Sequence, residues 1–366
     1  MSSPSAAFVL GTRPELIKLA PILREAGRRG LDFTIVHTGQ HYSEELSDVF
    51  IDQLELPRPT YNLGVGSGTH GEQTGAMIMR VESALLELEP DVVLVQGDTN
   101  SVLAGAIVTS KLAASLAHVE AGLRSFDRRM PEEINRIVAD HLADYLFAPT
   151  ETAAKYLRDE GCHEDRLHVT GNTIVDAVYQ HRDIAREKSS VEDDLGLEAD
   201  SGYAVLTVHR AENVDDPRRF SDILDGVGQA GKHLGLEVIY PVHPRAADRL
   251  QALDVDVPEA VRMIDPLAYL DFLALQAGAD LVLTDSGGIQ EEACILEVPC
   301  VTLRESTERP ETLEIGVNRL VGTDPDAIVN GAVAMAAATL VWENPYGNGE
   351  AATKILDVLE NGPLAD

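Results

Sequence analysis

Short apolar runs recur along the chain, each followed by turn residues and then by a longer segment whose apolar positions fall at helical spacing. That alternation is the pattern of parallel βαβ units with right-handed crossovers. In the first half it predicts strands over Ala6–Leu10, Asp32–Val36, Val92–Gln96, Leu116–Val119, Tyr145–Ala148 and Leu167–Val169. A second series starts at Ala204–Val208 and continues with Glu237–Tyr240, Val261–Ile264, Leu281–Thr284 and Cys300–Leu303. Between the two series, from Lys188 to Ser201, the sequence turns polar and acidic, as a linker region would. Single hydrophobic cores stop growing at roughly 250–300 residues, so 366 residues suit two domains. The expected class is α/β, with two doubly wound sheets facing a central cleft.

Composition narrows the partners. Against 29 Lys and Arg stand 61 Asp and Glu, a formal net charge of −32 that repels nucleic-acid phosphates and anionic membrane surfaces. Of the 29 bases only 6 are Lys and 23 are Arg, and an acid-rich, lysine-poor surface predicts a halophilic protein that stays soluble at high salt. No apolar stretch approaches the roughly 18–20 residues needed to cross a bilayer, and the first ten residues lack a basic leader segment, so a cytoplasmic location is expected. Cys162, Cys294 and Cys300 are odd in number and form no CxxC pair, which predicts neither a disulfide framework nor a zinc site. No GxGxxG or GxxxxGK[ST] pattern is present, which argues against a dinucleotide cofactor or a P-loop.

In doubly wound sheets ligands sit beyond the carboxyl ends of the strands, and the candidate chemistry gathers there. After the first strand, Gly11 permits a tight turn, Pro14 pre-sets a helical turn, and Arg13 and Lys18 project near the helix start, the makings of an anion site. After Leu281–Thr284, Asp285, Ser286, Gly287 and Gly288 lead into a helix whose amides suit a phosphate, with Glu291 or Glu292 one turn further on for ribose hydroxyls. Arg304 and Arg309 follow the next strand. Asp98, Glu120, Glu132 and Glu133 stand at strand ends of the first half, where neighbouring carboxylates can divide acid and base roles. Asp98 is equally placed to cap a helix, and Glu132 and Glu133 to fill a solvated first turn. His37, His41, His118, His209 and His243 suit a metal, a base or a phosphate partner alike by residue type.

Taken in order, the motifs are GTRPE from Gly11, HTGQHY from His37, QGDTNS from Gln96, HVEAGLRS from His118 and PEEINR from Pro131. HRAEN from His209, PVHP from Pro241, TDSGGIQEEA from Thr284, TERPET from Thr307 and ENPYGNG from Glu343 follow. Over nearly its whole length the chain resembles the non-hydrolysing UDP-N-acetylglucosamine 2-epimerases. The resemblance implies two Rossmann-like domains in a GT-B-like arrangement: 1–172 on the sugar side with the acid/base residues, 173–343 binding UDP, and 344–366 ending in a helix that packs back on the first domain. It implies a homodimer that interconverts UDP-N-acetylglucosamine and UDP-N-acetylmannosamine without cofactor or metal, in polysaccharide biosynthesis.

By the same resemblance the catalytic residues are Asp98, Glu120, Glu132 and His209. Arg13, Lys18 and Arg309 would hold phosphates or sugar, Ser286, Gly287 and Gly288 the diphosphate, Glu292 the ribose, and Phe272 the uracil. Some members carry Gln where this chain has Leu267, so base recognition there would rest on packing or backbone groups. Gln40, Arg210 and His243 partly reproduce the allosteric UDP-sugar site of certain bacterial members, with Ser43 smaller than the residue those members use. A sister activity on a UDP-2,3-diacetamido uronic acid would need another base near the sugar, for which Arg124, Arg128 and Arg129 offer themselves. A GT-B glycosyltransferase is the more distant alternative.

Overall fold

The computed structural model describes residues 4–39, 51, 53–197, 202–253, 255–338 and 342–362. The chain divides into two compact units, Met1–Ala177 with Tyr346–Asp366, and Val178–Pro345. Both are α/β units built on a parallel sheet.

The first unit holds strands β1 (Ala6–Leu10), β2 (Phe33–His37), β3 (Tyr61–Asn62), β4 (Val92–Gln96), β5 (Ser115–Val119), β6 (Tyr145–Ala148) and β7 (Leu167–Val169), in the spatial order β3-β2-β1-β4-β5-β6-β7. Its described helices are α1 (Arg13–Arg29), α2 (His70–Leu88), α3 (Asn100–Thr109), α4 (Pro131–Leu142) and α5 (Glu151–Asp159). Helix α6 (Thr173–Lys188) begins in this unit and carries the chain into the second. Side chains of a strand alternate between faces, and both faces of a parallel sheet are covered, so these strands read as unbroken apolar runs. On β1, Ala7 and Val9 join a core with Val93, Val95, Val102 and Leu146, while Phe8 and Leu10 are buried on the other face. Each of the Val, Leu and Phe side chains among them contributes about 1.5–3 kcal/mol by leaving water. Helix α3 lies close on this sheet because residue 105 is Gly: a Cβ there would stand 2.8 Å from Val95 Cγ1 and 3.3 Å from Val9 Cγ1.

The second unit repeats the plan. After the short helix α7 (Val191–Leu195) come β8 (Tyr203–Thr207), α8 (Ala211–Val214), α9 (Pro217–Leu234), β9 (Glu237–Pro241), α10 (Pro244–Leu253), β10 (Val261–Ile264) and α11 (Tyr269–Ala277). Then follow β11 (Leu281–Thr284), α12 (Gly287–Ile295), β12 (Cys300–Thr302), α13 (Pro310–Glu314), β13 (Asn318–Leu320) and α14 (Pro325–Ala336), with the sheet ordered β10-β9-β8-β11-β12-β13. Leu206 and Leu283 face one core with Phe220 and Tyr240, and Val205 and Val282 face another with Ile239 and Leu275. The acidic stretch after Lys188 lies inside this unit rather than between units: α7 buries Val191 and turns its acids outward.

Helix α15 (Ala351–Asn361) returns to the first unit. The Asp176 carboxylate accepts the Ala351 and Ala352 amides at 3.2 and 3.0 Å, and Arg29 pairs with Glu360 at 2.5 Å and Asp357 at 2.7 Å. Two strands carry no sequence signal. β3 is two residues at a sheet edge, Tyr61 half-buried and Asn62 exposed, and β13 is a three-residue edge strand reading Asn-Arg-Leu. Neither shows an apolar run, because neither is covered on both faces. No described helix is long and apolar enough to cross a membrane.

Candidate active site

In each sheet the strand order reverses direction at one place, between β1 and β4 in the first and between β8 and β11 in the second. Loops diverge there and leave a crevice at the carboxyl ends of the strands. Most of the singled-out residues flank these two points.

In the first unit, β1 ends at Leu10, Gly11 follows it, and α1 starts behind the N-cap Thr12, with Arg13 exposed on its first turn. Behind them Glu15 is buried and accepts from Gly11 N at 2.9 Å, Thr12 Oγ1 at 2.8 Å and Thr99 Oγ1 at 2.7 Å. Burial pushes its carboxyl up to about 7, against the pull of these hydrogen bonds. Glu15 thus joins the β1 turn to Thr99, the residue after Asp98 and the true N-cap of α3. Asp98 is no cap. Its carboxylate pairs with Arg136 of α4, and its carbonyl accepts from Asn135 Nδ2 at 2.9 Å.

One strand over, Glu120 follows β5 with φ at +70°, in the left-handed region that side-chain-bearing residues rarely adopt. Its carboxylate accepts Lys18 Nζ at 2.7 and 2.8 Å and is bonded by Gln96 Nε2. Lys18, expected to meet substrate, here meets a proposed acid. Of the two glutamates opening α4, Glu132 is exposed and Glu133 is buried. Glu133 accepts from Ser125 N at 3.0 Å, Ser125 Oγ at 2.9 Å, Phe126 N at 3.0 Å and Arg136 Nη1 at 2.7 Å, fixing both the preceding loop and the cation that holds Asp98. His37, at the end of β2, is buried, which lowers its imidazolium to about 4 and leaves it neutral at ordinary pH. Gln40, His41 and Ser43 lie outside the described residues.

Arg124 is not a spare base. It is buried, with Nη1 2.7 Å from Asp140 and a two-pronged pair to Glu160 at 2.8 and 2.6 Å. Arg129 pairs with Asp127 at 2.7 Å on the surface. Arg304 is likewise buried and paired with Glu308 at 3.0 and 2.9 Å.

In the second unit, Asp285 at the end of β11 is wholly buried and reaches across to the end of β8. It accepts from His209 N at 3.1 Å, Arg210 N at 3.0 Å and Asn213 Nδ2 at 3.0 Å, and His209 Nδ1 stands 3.1 Å away. Burial raises its carboxyl, but these donors, His209 first, more than offset that and hold it below the usual range. His209 is therefore turned by an anchored carboxylate, with its ring 5.9 Å from that of His243.

Next to Asp285, Ser286 begins α12 without a side-chain cap, and Gly287 and Gly288 form its first turn. Neither glycine has a positive φ, and a Cβ on either would meet nothing of the chain closer than 3.7 and 4.0 Å. The chain's own packing does not require glycine at either position. A cavity of about 350 Å³ opens beside this turn, lined by His209, His243, Leu267, Phe272, Ser286 and Ile289 among others. Deeper in the unit, Glu292 accepts from Gln276 at 2.8 Å, and Arg309 pairs with the buried Glu291 at 2.7 Å.

Sequence reasoning passed over Glu15, Asp140 and the anchoring role of Asp285, and left Glu133 level with Glu132. A signal for Glu15 was present: Thr-x-x-Glu at a helix start is a capping-box spacing.

Two parallel-sheet units of this strand order place the chain among proteins with a GT-B-like fold, as the solved structures it matches do. Residues 24–360 match the family described as UDP-N-acetylglucosamine 2-epimerase, to which this chain belongs. The chain is 49% identical over 361 residues to a UDP-N-acetylglucosamine 2-epimerase of Methanocaldococcus jannaschii, covering 97% of this chain and 99% of that one. A crystal structure of the Methanocaldococcus jannaschii UDP-GlcNAc 2-epimerase in complex with UDP-GlcNAc and UDP matches with a TM-score of 0.90 at 49% identity, over 98% of this chain and 100% of that one. A UDP-2,3-diacetamido-2,3-dideoxy-D-glucuronate 2-epimerase of Pseudomonas aeruginosa is 40% identical over 355 residues, 96% of this chain and 98% of the other.

Proposed function

We propose that this isomerase interconverts UDP-N-acetylglucosamine and UDP-N-acetylmannosamine by inverting carbon 2 of the sugar. The carbon-2 proton is not acidic, since no carbonyl adjoins it. Removal becomes feasible if UDP leaves carbon 1 as the proton departs, giving 2-acetamidoglucal. Protonation of the opposite face while UDP re-adds at carbon 1 gives the epimer. The scheme needs acid/base groups on both sides of the ring and support for the leaving diphosphate.

Asp98, Glu120 and Glu132 are the acids of this reading, and His209 stands beside the diphosphate. The observation that carries it is that Asp98 and Glu120 end adjacent strands, each against a cation, Arg136 and Lys18. Ser286, Gly287 and Gly288 would take the diphosphate, Arg13 and Arg309 further phosphate or sugar oxygens, Glu292 the ribose, and Phe272 with Leu267 the uracil face. Arg210 and His243 remain the described part of an effector site. The test is incubation with UDP-N-acetylglucosamine in deuterated water, following carbon 2 by NMR. Epimer carrying deuterium at carbon 2 is expected; well-folded protein that leaves the proton in place refutes the reading.

The second reading, a diacetamido-uronate substrate, has the Pseudomonas aeruginosa relative in its favour. Of the bases it would draw on, Arg124 is consumed by Asp140 and Glu160, so it rests on the exposed Arg128 and Arg129. Turnover of that sugar in preference to UDP-N-acetylglucosamine would establish it. We further read the protein as a cytoplasmic homodimer serving polysaccharide biosynthesis, since its product is an activated sugar. The net charge of −32 supports adaptation to salt. A melting temperature that falls as KCl is added would remove that reading.

A further inference from the structure

Asp140, on α4, grips the chain on both sides of Glu120. Its Oδ1 lies 2.7 Å from His118 Nδ1, two residues before the acid. Its Oδ2 accepts from Gly122 N, two residues after it, at 3.2 Å, and lies 2.7 Å from Arg124 Nη1. His118 and Asp140 are both wholly buried. The other ring nitrogen of His118, Nε2, stands 2.8 Å from the carbonyl oxygen of Gly97, the residue before Asp98.

A neutral imidazole carries one N–H, yet both atoms facing this ring are acceptors. A carbonyl cannot donate, and burial, which raises the Asp140 carboxyl, is more than offset by His118 and Arg124, with the Gly122 amide a further donor to Oδ2, so Asp140 is ionised and can only accept. Both contacts are satisfied together only by the imidazolium. Burial works against that charge, but Asp140 and the Gly97 carbonyl outweigh it, with Glu120 adding to them. Arg124 in turn is balanced by Glu160, so two cations and two carboxylates close the cluster.

We propose that the His118 imidazolium and Asp140 form a positioning pair, which ties the Gly97–Asp98 turn to the end of β5 and holds Glu120 in its left-handed conformation. This rests on the reading of Asp98 and Glu120 as the proton-transferring acids. A residue with a side chain keeps a φ of +70° only where its surroundings impose it. Here the bonds on either side supply that constraint: Gly97 N to Val119 O at 3.1 Å, Ala121 N to Phe147 O at 3.1 Å, and Gly122 N to Asp140. Through His118 the same carboxylate fixes the neighbouring acid-bearing turn, so the spacing of the two acids is set by one buried pair.

The test has two arms. In wild-type protein with ¹⁵N-labelled histidine, both His118 ring nitrogens are expected to be protonated at neutral pH, the signals being assigned by their loss in His118→Gln. A neutral ring overturns the proposal. In His118→Gln and Asp140→Asn, kcat should fall about 100-fold, as expected when reacting groups are misplaced by an ångström or so. KM should stay within about threefold. The isotope effect of carbon-2 deuterium on kcat should rise as proton transfer becomes limiting. Folded variants with wild-type kcat and an unchanged isotope effect refute the positioning role. If His118→Gln does not fold, Asp140→Asn and the wild-type ring state decide. Wild-type protein that never exchanges the carbon-2 proton overturns the functional reading as well; exchange in the wild type with indifferent variants overturns only the positioning pair.

Discussion

Replacing Asp285 with Asn tests whether the second unit is organised around one buried carboxylate. The side chain is nearly isosteric, so packing is preserved and the change is electrical. Three donors converge on one carboxylate oxygen, the amides of His209 and Arg210 and the Asn213 side chain, at 3.1, 3.0 and 3.0 Å. A hydrogen bond to a charged group is worth about 1.5–3 kcal/mol and a neutral one about 0.5–1.5, so each bond weakens by roughly 1 kcal/mol, about 3 kcal/mol together. For a unit of this size that lowers Tm by roughly 6–12 °C. The new amide also faces His209 Nδ1, which must then accept rather than donate, presenting the opposite tautomer to the cavity. The assay is thermal unfolding by circular dichroism, with UDP titration by calorimetry on the same samples. Since the folded carboxyl lies below its ordinary 3.8, its stabilisation is present above that pH and is lost as pH falls through the folded value. The gap between variant and wild type should therefore be full at pH 7 and close under strong acid. A shift below about 2 °C at pH 7, or a gap that persists in acid, refutes the reasoning.

Asp98→Asn and Glu120→Gln should each lower kcat by about 10²–10⁴-fold while leaving UDP affinity close to wild type, checked by NMR turnover and calorimetry. Glu15 has its folded carboxyl raised to about 7, so its stabilisation is full below the ordinary 4.5 and is lost as pH rises through 7. In Glu15→Gln, that downward slope of stability between about pH 5 and 8 should disappear from denaturant unfolding curves, and a slope equal to wild type would refute it. Gly288→Ala places a methyl where the chain leaves room, so stability should hold or rise by about 0.4–1 kcal/mol while UDP binding weakens about tenfold or more. Unchanged UDP affinity would mean that nothing approaches that turn.

The strands read most directly from sequence were those buried on both faces, where an apolar run is obligatory, as in Val92–Gln96 or Leu281–Thr284. β3 and β13 escaped because Tyr-Asn and Asn-Arg-Leu carry no apolar run of their own, whereas the equally short edge strand Leu167–Val169 begins and ends on apolar residues. Asp98, Glu120 and His209 were read as strand-end residues because each lies within two positions of the end of an apolar run. Direction was harder. Glu132 and Glu133 are one position apart on a helix start, and which turns inward depends on the loop at Ser125 and on Arg136, neither visible as a contact in sequence. Arg124 and Arg304 looked available for ligands, and only their pairing with Asp140, Glu160 and Glu308 shows that they belong to the scaffold. The anchoring role of Asp285 was not legible, since its reach to the end of β8 spans more than seventy residues of chain.

The return of α15 to the first unit bears on biosynthesis. Domains generally fold as they emerge, N-terminal first. Here the unit begun first is completed last: the Asp176 carboxylate waits for the Ala351 and Ala352 amides, and Arg29 for Glu360, until residues 178–345 have been made. While the second unit emerges, α1 exposes to the cell the surface that α15 later covers. A ribosome stalled before residue 346 would hold a nascent chain whose acid-bearing half is still open to proteolysis.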